Sequence, residues 1–112
     1  MKTLFSLTNR VRKQLYISTH FYHDKNPSDS DMKPGYYLKL VLYDGDTETN
    51  YIIPVLEAKR HTSKTKDKAI LEVIEFRTNL FPILCEALSG EPMSKIQVIY
   101  DDIYEKLKGL LE

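Results

Sequence analysis

One stretch of alternating residues limits the fold of this chain more than any other feature. Between Arg10 and Tyr22, apolar and polar side chains alternate almost residue by residue. Successive side chains of a β-strand point to opposite faces of a sheet, so the pattern predicts a strand from about Val11 to Tyr22. The set expected to face a core is Val11, Lys13, Leu15, Ile17, Thr19 and Phe21. The set expected to face solvent or a partner is Arg10, Arg12, Gln14, Tyr16, Ser18, His20 and Tyr22.

Two further strands are predicted, from Tyr36 to Tyr43 and from Asn50 to Leu56. In the first, Tyr36, Leu38, Leu40 and Leu42 form the apolar face, and Tyr37, Lys39, Val41 and Tyr43 form the other. Asp44-Gly45 between the two strands is a strong signal for a hairpin turn. Pro54 cannot donate a hydrogen bond to a neighbouring strand, so it predicts an edge position or a bulge. The segment 23–35 is rich in turn-forming residues and predicts an exposed loop.

Apolar spacing and capping residues in the C-terminal half of the chain predict helices. Ala69 to Arg77 fits a strand and a helix almost equally, and its apolar residues favour a fourth strand. A helix should begin near Asn79 and end at Gly90, and a second apolar stripe at helical spacing runs to the C-terminus: Ile96, Ile99, Ile103, Leu107 and Leu110. We therefore expect an α+β fold. Its antiparallel sheet of three to four strands is followed by one or two C-terminal helices packed on one face.

Composition narrows the class of protein. A chain of 112 residues suits a single domain, 1–112. It has 16 basic and 16 acidic residues, which argues against coating nucleic acid by net charge alone. No apolar run is long enough to cross a membrane and the start does not resemble a signal peptide, so we expect a cytoplasmic protein with no membrane partner. Cys85, the one cysteine, lies in an apolar stretch and is expected to pack as a small hydrophobe.

The aromatic and basic side of the predicted sheet suggests a surface for single-stranded nucleic acid. Bases can stack on tyrosine rings while cations hold the phosphates. The expected stacking residues are Tyr16, Tyr22, Tyr37 and Tyr43, with His20 beside them; the expected phosphate contacts are Arg10, Arg12, Lys39, Arg60 and Lys64. The last two belong to a predicted basic loop, Lys59 to Lys68, which is either a solvated hairpin tip or a loop that grips phosphate. In element order, strands followed by helix, the chain is similar to the ββββα units of Whirly and Pur-type single-strand binders.

A protein-binding module is the alternative. Tyrosine and arginine are favoured anchors of protein interfaces, and the chain carries no signature of a catalytic nucleophile. This alternative includes a small inhibitor of a nuclease or polymerase, of the kind that mobile elements encode. A homodimer is a further expectation, because an apolar third strand gains by burying its edge. In either case we expect a binding protein rather than an enzyme, with no cofactor.

A third hypothesis is a Mg²⁺-dependent nuclease. Asp44, the strand Asn50 to Leu56 and then Glu57-Ala58-Lys59 resemble the metal site of the PD-(D/E)xK nucleases. That resemblance implies that Asp44 or Asp46, together with Glu57, would bind the metal and that Lys59 would be the site lysine. Tyr43 stands where the family usually has proline, and no glutamate precedes Glu48.

Overall fold

The computed structural model describes residues 1–112 and has the predicted α+β architecture. Four antiparallel strands come first: β1 (Lys2–Arg12), β2 (Leu15–Asp24), β3 (Gly35–Asp44) and β4 (Thr47–Glu57). Three helices follow: α1 (Ser63–Ile74), α2 (Leu80–Ala87) and α3 (Met93–Gly109). The sheet is a simple meander with the order β1-β2-β3-β4. The predicted fold class is confirmed, with the sheet at the upper end of the expected size and one helix more than expected.

The first predicted strand is in fact part of a hairpin. Instead of one strand from Val11 to Tyr22, the chain turns at Lys13-Gln14 and separates β1 from β2. Gln14 has a φ of 66°, a left-handed conformation that non-glycine residues seldom adopt. The turn contains neither glycine nor asparagine, the residues that mark most tight hairpins in a sequence. As a consequence, Arg10 and Arg12 belong to the neighbouring strand.

The β3–β4 hairpin agrees with the sequence prediction. Asp44 pairs with Thr47 across a two-residue turn, and Gly45 has a φ of 59°. Pro54 lies in β4, which is an edge strand, and the pairing register shifts beside it, between Tyr36 and Tyr37. An edge strand and a bulge both tolerate the missing N–H of proline.

Helix α1 corrects two predictions. The segment 69–77 is not a fourth strand, and most of the predicted basic loop, Lys59 to Lys68, is helical. The helix begins with a capping box in which the Thr62 side chain accepts from the backbone N–H of Thr65. Its buried residues, Lys66, Ala69, Ile70 and Val73, follow helical spacing. Two-residue alternation fitted the short apolar run equally well, and packing on the sheet selected the helix.

Helices α2 and α3 confirm the predicted C-terminal helices. Asn79 is the N-cap residue of α2, and the stripe Ile96, Ile99, Ile103 and Leu107 of α3 is buried. The helices and the sheet share one hydrophobic core, to which β2 and β3 contribute Leu15, Ile17, Phe21, Tyr36, Leu38 and Leu40. The helices therefore cover one face of the sheet. No helix is long and apolar enough to span a lipid bilayer.

Candidate functional site

The second face of the sheet is not covered by the helices, and we call it the outer face. Residues paired across antiparallel strands share a face, so the register defines its members. From one end to the other, its rows are Arg10-Tyr16-Tyr43-Glu48, Thr8-Ser18-Val41-Asn50, Ser6-His20-Lys39-Ile52 and Thr3-Tyr22-Tyr37-Pro54. Seven of the ten predicted site residues lie here: Arg10, Tyr16, His20, Tyr22, Tyr37, Lys39 and Tyr43. The inward and outward assignment made from alternation is therefore confirmed for β2 and β3.

One end of the outer face carries two accessible tyrosine rings. Tyr16 and Tyr43 are directly paired, each is 38% exposed, and Arg10 is paired with Tyr16 on the other side. The two hairpin turns meet behind them, where the backbone N–H of Gly45 donates to the carbonyl of Gln14 at 2.9 Å. A hollow of about 400 Å³ opens between the rings and the turns. This end of the outer face therefore presents two aromatic rings, supported by the hairpin turns, beside the cation Arg10.

The middle of the outer face is more polar. His20 is paired with Lys39, and Ser6 Oγ lies 2.8 Å from His20 Nδ1. Partial burial, and secondarily the charge of Lys39, lower the pKa of His20 below its ordinary value of 6.5. His20 and Lys39 line a hollow of about 260 Å³, which is also bordered by Ile52, an exposed apolar residue of the edge strand β4. A ligand here would meet a cation, an imidazole and an apolar side chain.

Tyr22 and Tyr37 are not the exposed rings that alternation predicted. They are 6% and 4% exposed, and they stack on each other with ring centroids 5.8 Å apart. The Tyr37 hydroxyl donates to the carbonyl of Lys33, so the loop before β3 returns over this end of the face. Burial, followed by the charge of Asp24, raises the pKa of both hydroxyls. These rings support the outer face and offer little surface for stacking.

Arg12 also departs from the prediction. The register of β1 shifts between Arg10 and Arg12, and Arg12 pairs with Leu15, a core residue. Its Nε lies 2.7 Å from Glu91 Oε1, between α2 and α3. A bulge changes which face a side chain meets, and strict alternation cannot include it. Arg12 therefore belongs to a contact between the sheet and the helical layer.

The remaining two predicted cations lie away from the outer face. Lys64 is exposed in the first turn of α1. Arg60 lines a cavity of about 610 Å³ at the end of the sheet where β2 and β4 finish. We call this the cationic cavity; its lining is Met1, Lys2, His23, Lys25, Lys59, Arg60 and His61. Sequence reasoning missed Lys2, His23 and Lys25 here, since they are far from Arg60 along the chain and only strand pairing brings them together.

The structure does not bring together the carboxylates named in the nuclease hypothesis. Asp44 ends β3, whereas Glu57 pairs with Gly35 at the start of the same strand. Nine residues of extended strand separate the two ends by about 30 Å. Asp46 lies in the turn beside Asp44, so it is equally remote from Glu57. One metal ion cannot bridge these carboxylates, and no cluster of three or more His, Cys, Asp or Glu side chains suited to a metal occurs in the fold.

The candidate site that remains has two parts. The first is the accessible portion of the outer face, made of Arg10, Tyr16, His20, Lys39 and Tyr43. The second is the cationic cavity. Comparison with protein-family models, with curated proteins and with solved structures finds no match to this chain.

Proposed function

We propose that the protein is a non-enzymatic module that binds single-stranded nucleic acid on the outer face of its sheet. The observation that supports this most is the pair Tyr16 and Tyr43, adjacent across β2 and β3 and each 38% exposed. Aromatic side chains at fixed positions offer bases a flat apolar surface, and each stacked base contributes about 1–3 kcal/mol. Base faces are accessible in this way in a single strand and not within a duplex.

The rest of the accessible outer face suits the same ligand. Tyr16 and His20 are four residues apart on β2, so about 13 Å of strand separates the tyrosine pair from the polar pair His20 and Lys39. Arg10, beside the tyrosine pair, and Lys39, in the polar pair, would each contact a phosphate. Two phosphate contacts predict that log Kobs falls with log salt with a slope of about −1.4 for a single strand. A much steeper slope would mean that cations beyond the outer face take part.

The test compares binding of a labelled single-stranded oligonucleotide, by fluorescence anisotropy, to the parent chain and to Y16A/Y43A. Loss of two stacking rings should weaken binding by about 2–6 kcal/mol, which is at least thirtyfold. Y104A is the matched control, because Tyr104 is a partly buried ring on α3, on the opposite side of the sheet. Circular dichroism should show that all three proteins are folded. Equal affinity of the parent and Y16A/Y43A would refute the proposal.

A protein partner is the second candidate, supported by Phe76. This ring is 71% exposed, sits at a φ of 60° and stacks on Tyr100 at 6.4 Å with an interplanar angle of 11°. Aromatic side chains are enriched at protein interfaces. The positive φ belongs to the C-terminal turn of α1, where the N–H of Phe76 donates to the carbonyl of Val73. The partner that can be tested directly is a second copy of the chain. Sedimentation should then show a dimer for the parent and a monomer for F76E; a monomeric parent at all concentrations would contradict self-association.

A further inference from the structure

We propose that the cationic cavity binds a phosphate group. Four cations from three separate segments line it: Lys2 at the start of β1, Lys25 just after β2, and Lys59 and Arg60 in the connection from β4 to α1. Two histidines, His23 and His61, complete the polar wall, and no carboxylate is part of it. The inference stands apart from the proposed function, because a phosphate site here does not require bases on the outer face.

The four cations of the cavity form no ion pair within the protein. None of the six ion pairs of the structure involves Lys2, Lys25, Lys59 or Arg60. The chain as a whole has equal numbers of acidic and basic residues, so this imbalance is local. Like charges gathered in one concave region repel one another and raise the local concentration of anions. A bound anion would remove that repulsion.

The wall of the cavity is held by partly buried hydrogen bonds. His23, which is buried, donates from Nε2 to the carbonyl of Ala58 at 2.8 Å. The hydroxyl of Tyr36, a fully buried ring, lies 2.7 Å from His61 Nδ1 and 2.9 Å from Thr65 Oγ1. These contacts fix the backbone on both sides of Lys59 and Arg60 before any ligand arrives. Such preorganisation lowers the entropy cost of binding.

His61 adds an imidazole to this framework. Its Nδ1 bonds the hydroxyl of Tyr36, and no hydrogen bond engages its Nε2, which donates when the ring is protonated. Burial lowers the pKa of His61, and the charges of His23, Lys2 and Lys66 lower it further, against a smaller opposite effect of Glu112. The first turn of α1 begins two residues later, at Ser63, and the positive end of the helix dipole strengthens the field.

The chemistry favours phosphate over a simple carboxylate. The guanidinium of Arg60 offers paired donors that match phosphate oxygens, and the three lysines can neutralise more than one negative charge. A volume of about 610 Å³ leaves room for a phosphate together with the group that carries it. The carrier is either the end of a nucleic-acid strand or a small phosphorylated molecule, and both present the same dianion.

The first experiment is a titration of the ¹⁵N-labelled chain with inorganic phosphate, followed by NMR. We expect saturable shifts at the amides of residues 58–62, with a Kd of about 1 mM or tighter. K59Q/R60Q should weaken binding at least tenfold. K68Q/K106Q, which removes the same charge from exposed helical positions, should bind like the parent. Absence of saturable shifts in the parent, or equal losses in the two double variants, would overturn the proposal.

The second experiment identifies the carrier. The parent and K59Q/R60Q are titrated with matched oligonucleotides ending in a 5′-phosphate or a 5′-hydroxyl, and with a nucleoside monophosphate. A phosphate-dependent gain in oligonucleotide affinity that K59Q/R60Q abolishes identifies the strand end, whereas a gain for the monophosphate alone identifies a small ligand. Y16A/Y43A separates the two proposals, since it should retain inorganic phosphate binding whether or not it binds oligonucleotides. If no phosphorylated probe binds better than its unphosphorylated match, the phosphate site is refuted.

Discussion

Replacing Tyr36 by phenylalanine would test how the cationic cavity is built. The ring is fully buried and packs on Phe21, at 5.8 Å between centroids, and on the edge of His23, at 4.8 Å. Phenylalanine preserves these contacts and removes only the hydroxyl, which bonds His61 at 2.7 Å and Thr65 at 2.9 Å. The change therefore isolates the polar link between β3 and the start of α1.

The expected cost follows from the two lost hydrogen bonds. Each contributes about 0.5–1.5 kcal/mol, and the partners left in a partly buried site make the upper half of that range appropriate. Y36F should thus lower the free energy of unfolding by about 2 kcal/mol and the Tm by roughly 10 °C. The segment 58–62 should also lose order, so that phosphate affinity at the cationic cavity falls although Tyr36 does not line it.

Urea unfolding and thermal melts would measure the stability change, and phosphate titration would measure the effect on the cavity. Y104F is the matched control, because the Tyr104 hydroxyl makes no hydrogen bond in the structure and its loss should be nearly neutral. If Y36F were as stable as Y104F, the hydrogen bonds to His61 and Thr65 would not hold this connection. If Y36F were destabilised but bound phosphate like the parent, preorganisation of the cavity would be refuted.

Three further changes test the fold and its response to pH. The Thr19 hydroxyl is buried without a hydrogen-bond partner, so T19V should raise the free energy of unfolding by about 1 kcal/mol in urea titrations, and a loss would mean that the hydroxyl is satisfied. Q14G should stabilise the β1–β2 turn by about 0.5–1 kcal/mol in thermal melts by relieving the positive φ, whereas K13G, at a position without that strain, should not. Burial lowers the pKa of His20 and His61 below 6.5, so the unfolded chain binds protons first and the Tm should fall as pH drops below about 6.5. Sulfate, used as a phosphate mimic in the cationic cavity, should reduce the fall in Tm by favouring protonated His61. A Tm that is independent of pH would contradict the shifted pKa values.

Local patterns predicted much of the sheet. Alternation in β2 and β3 assigned Ile17, Phe21, Leu38 and Leu40 to the core, and the structure buries all four completely. It also assigned Tyr16 and Tyr43 to the outer face, where both are exposed. These assignments succeeded because β2 and β3 pair with each other without a bulge, so the direction of each side chain follows the parity of its residue.

Elements with weak local signals could not be predicted in this way. The turn at Lys13-Gln14 has no glycine, and α1 contains a short apolar run that fits two periods. Both are decided by packing: the turn lets β1 pair with β2, and the helix buries Ala69, Ile70 and Val73 on the core. Propensity gives way to tertiary contacts where the local preference is small.

By itself, the sequence determined the α+β class, the two faces of the central strands, the Asp-Gly turn and the buried stripe of α3. Only the tertiary structure decided which outward side chains remain accessible, since Tyr22 and Tyr37 stack on each other and Tyr37 also contacts the loop before β3. It also decided the cationic cavity, which joins Lys2, Lys25 and Arg60 from segments that are remote along the chain. The physical reason is that local periodicity reports only the direction of a side chain. Antiparallel pairing determines which strand ends meet, and therefore which charges are left without a counterion.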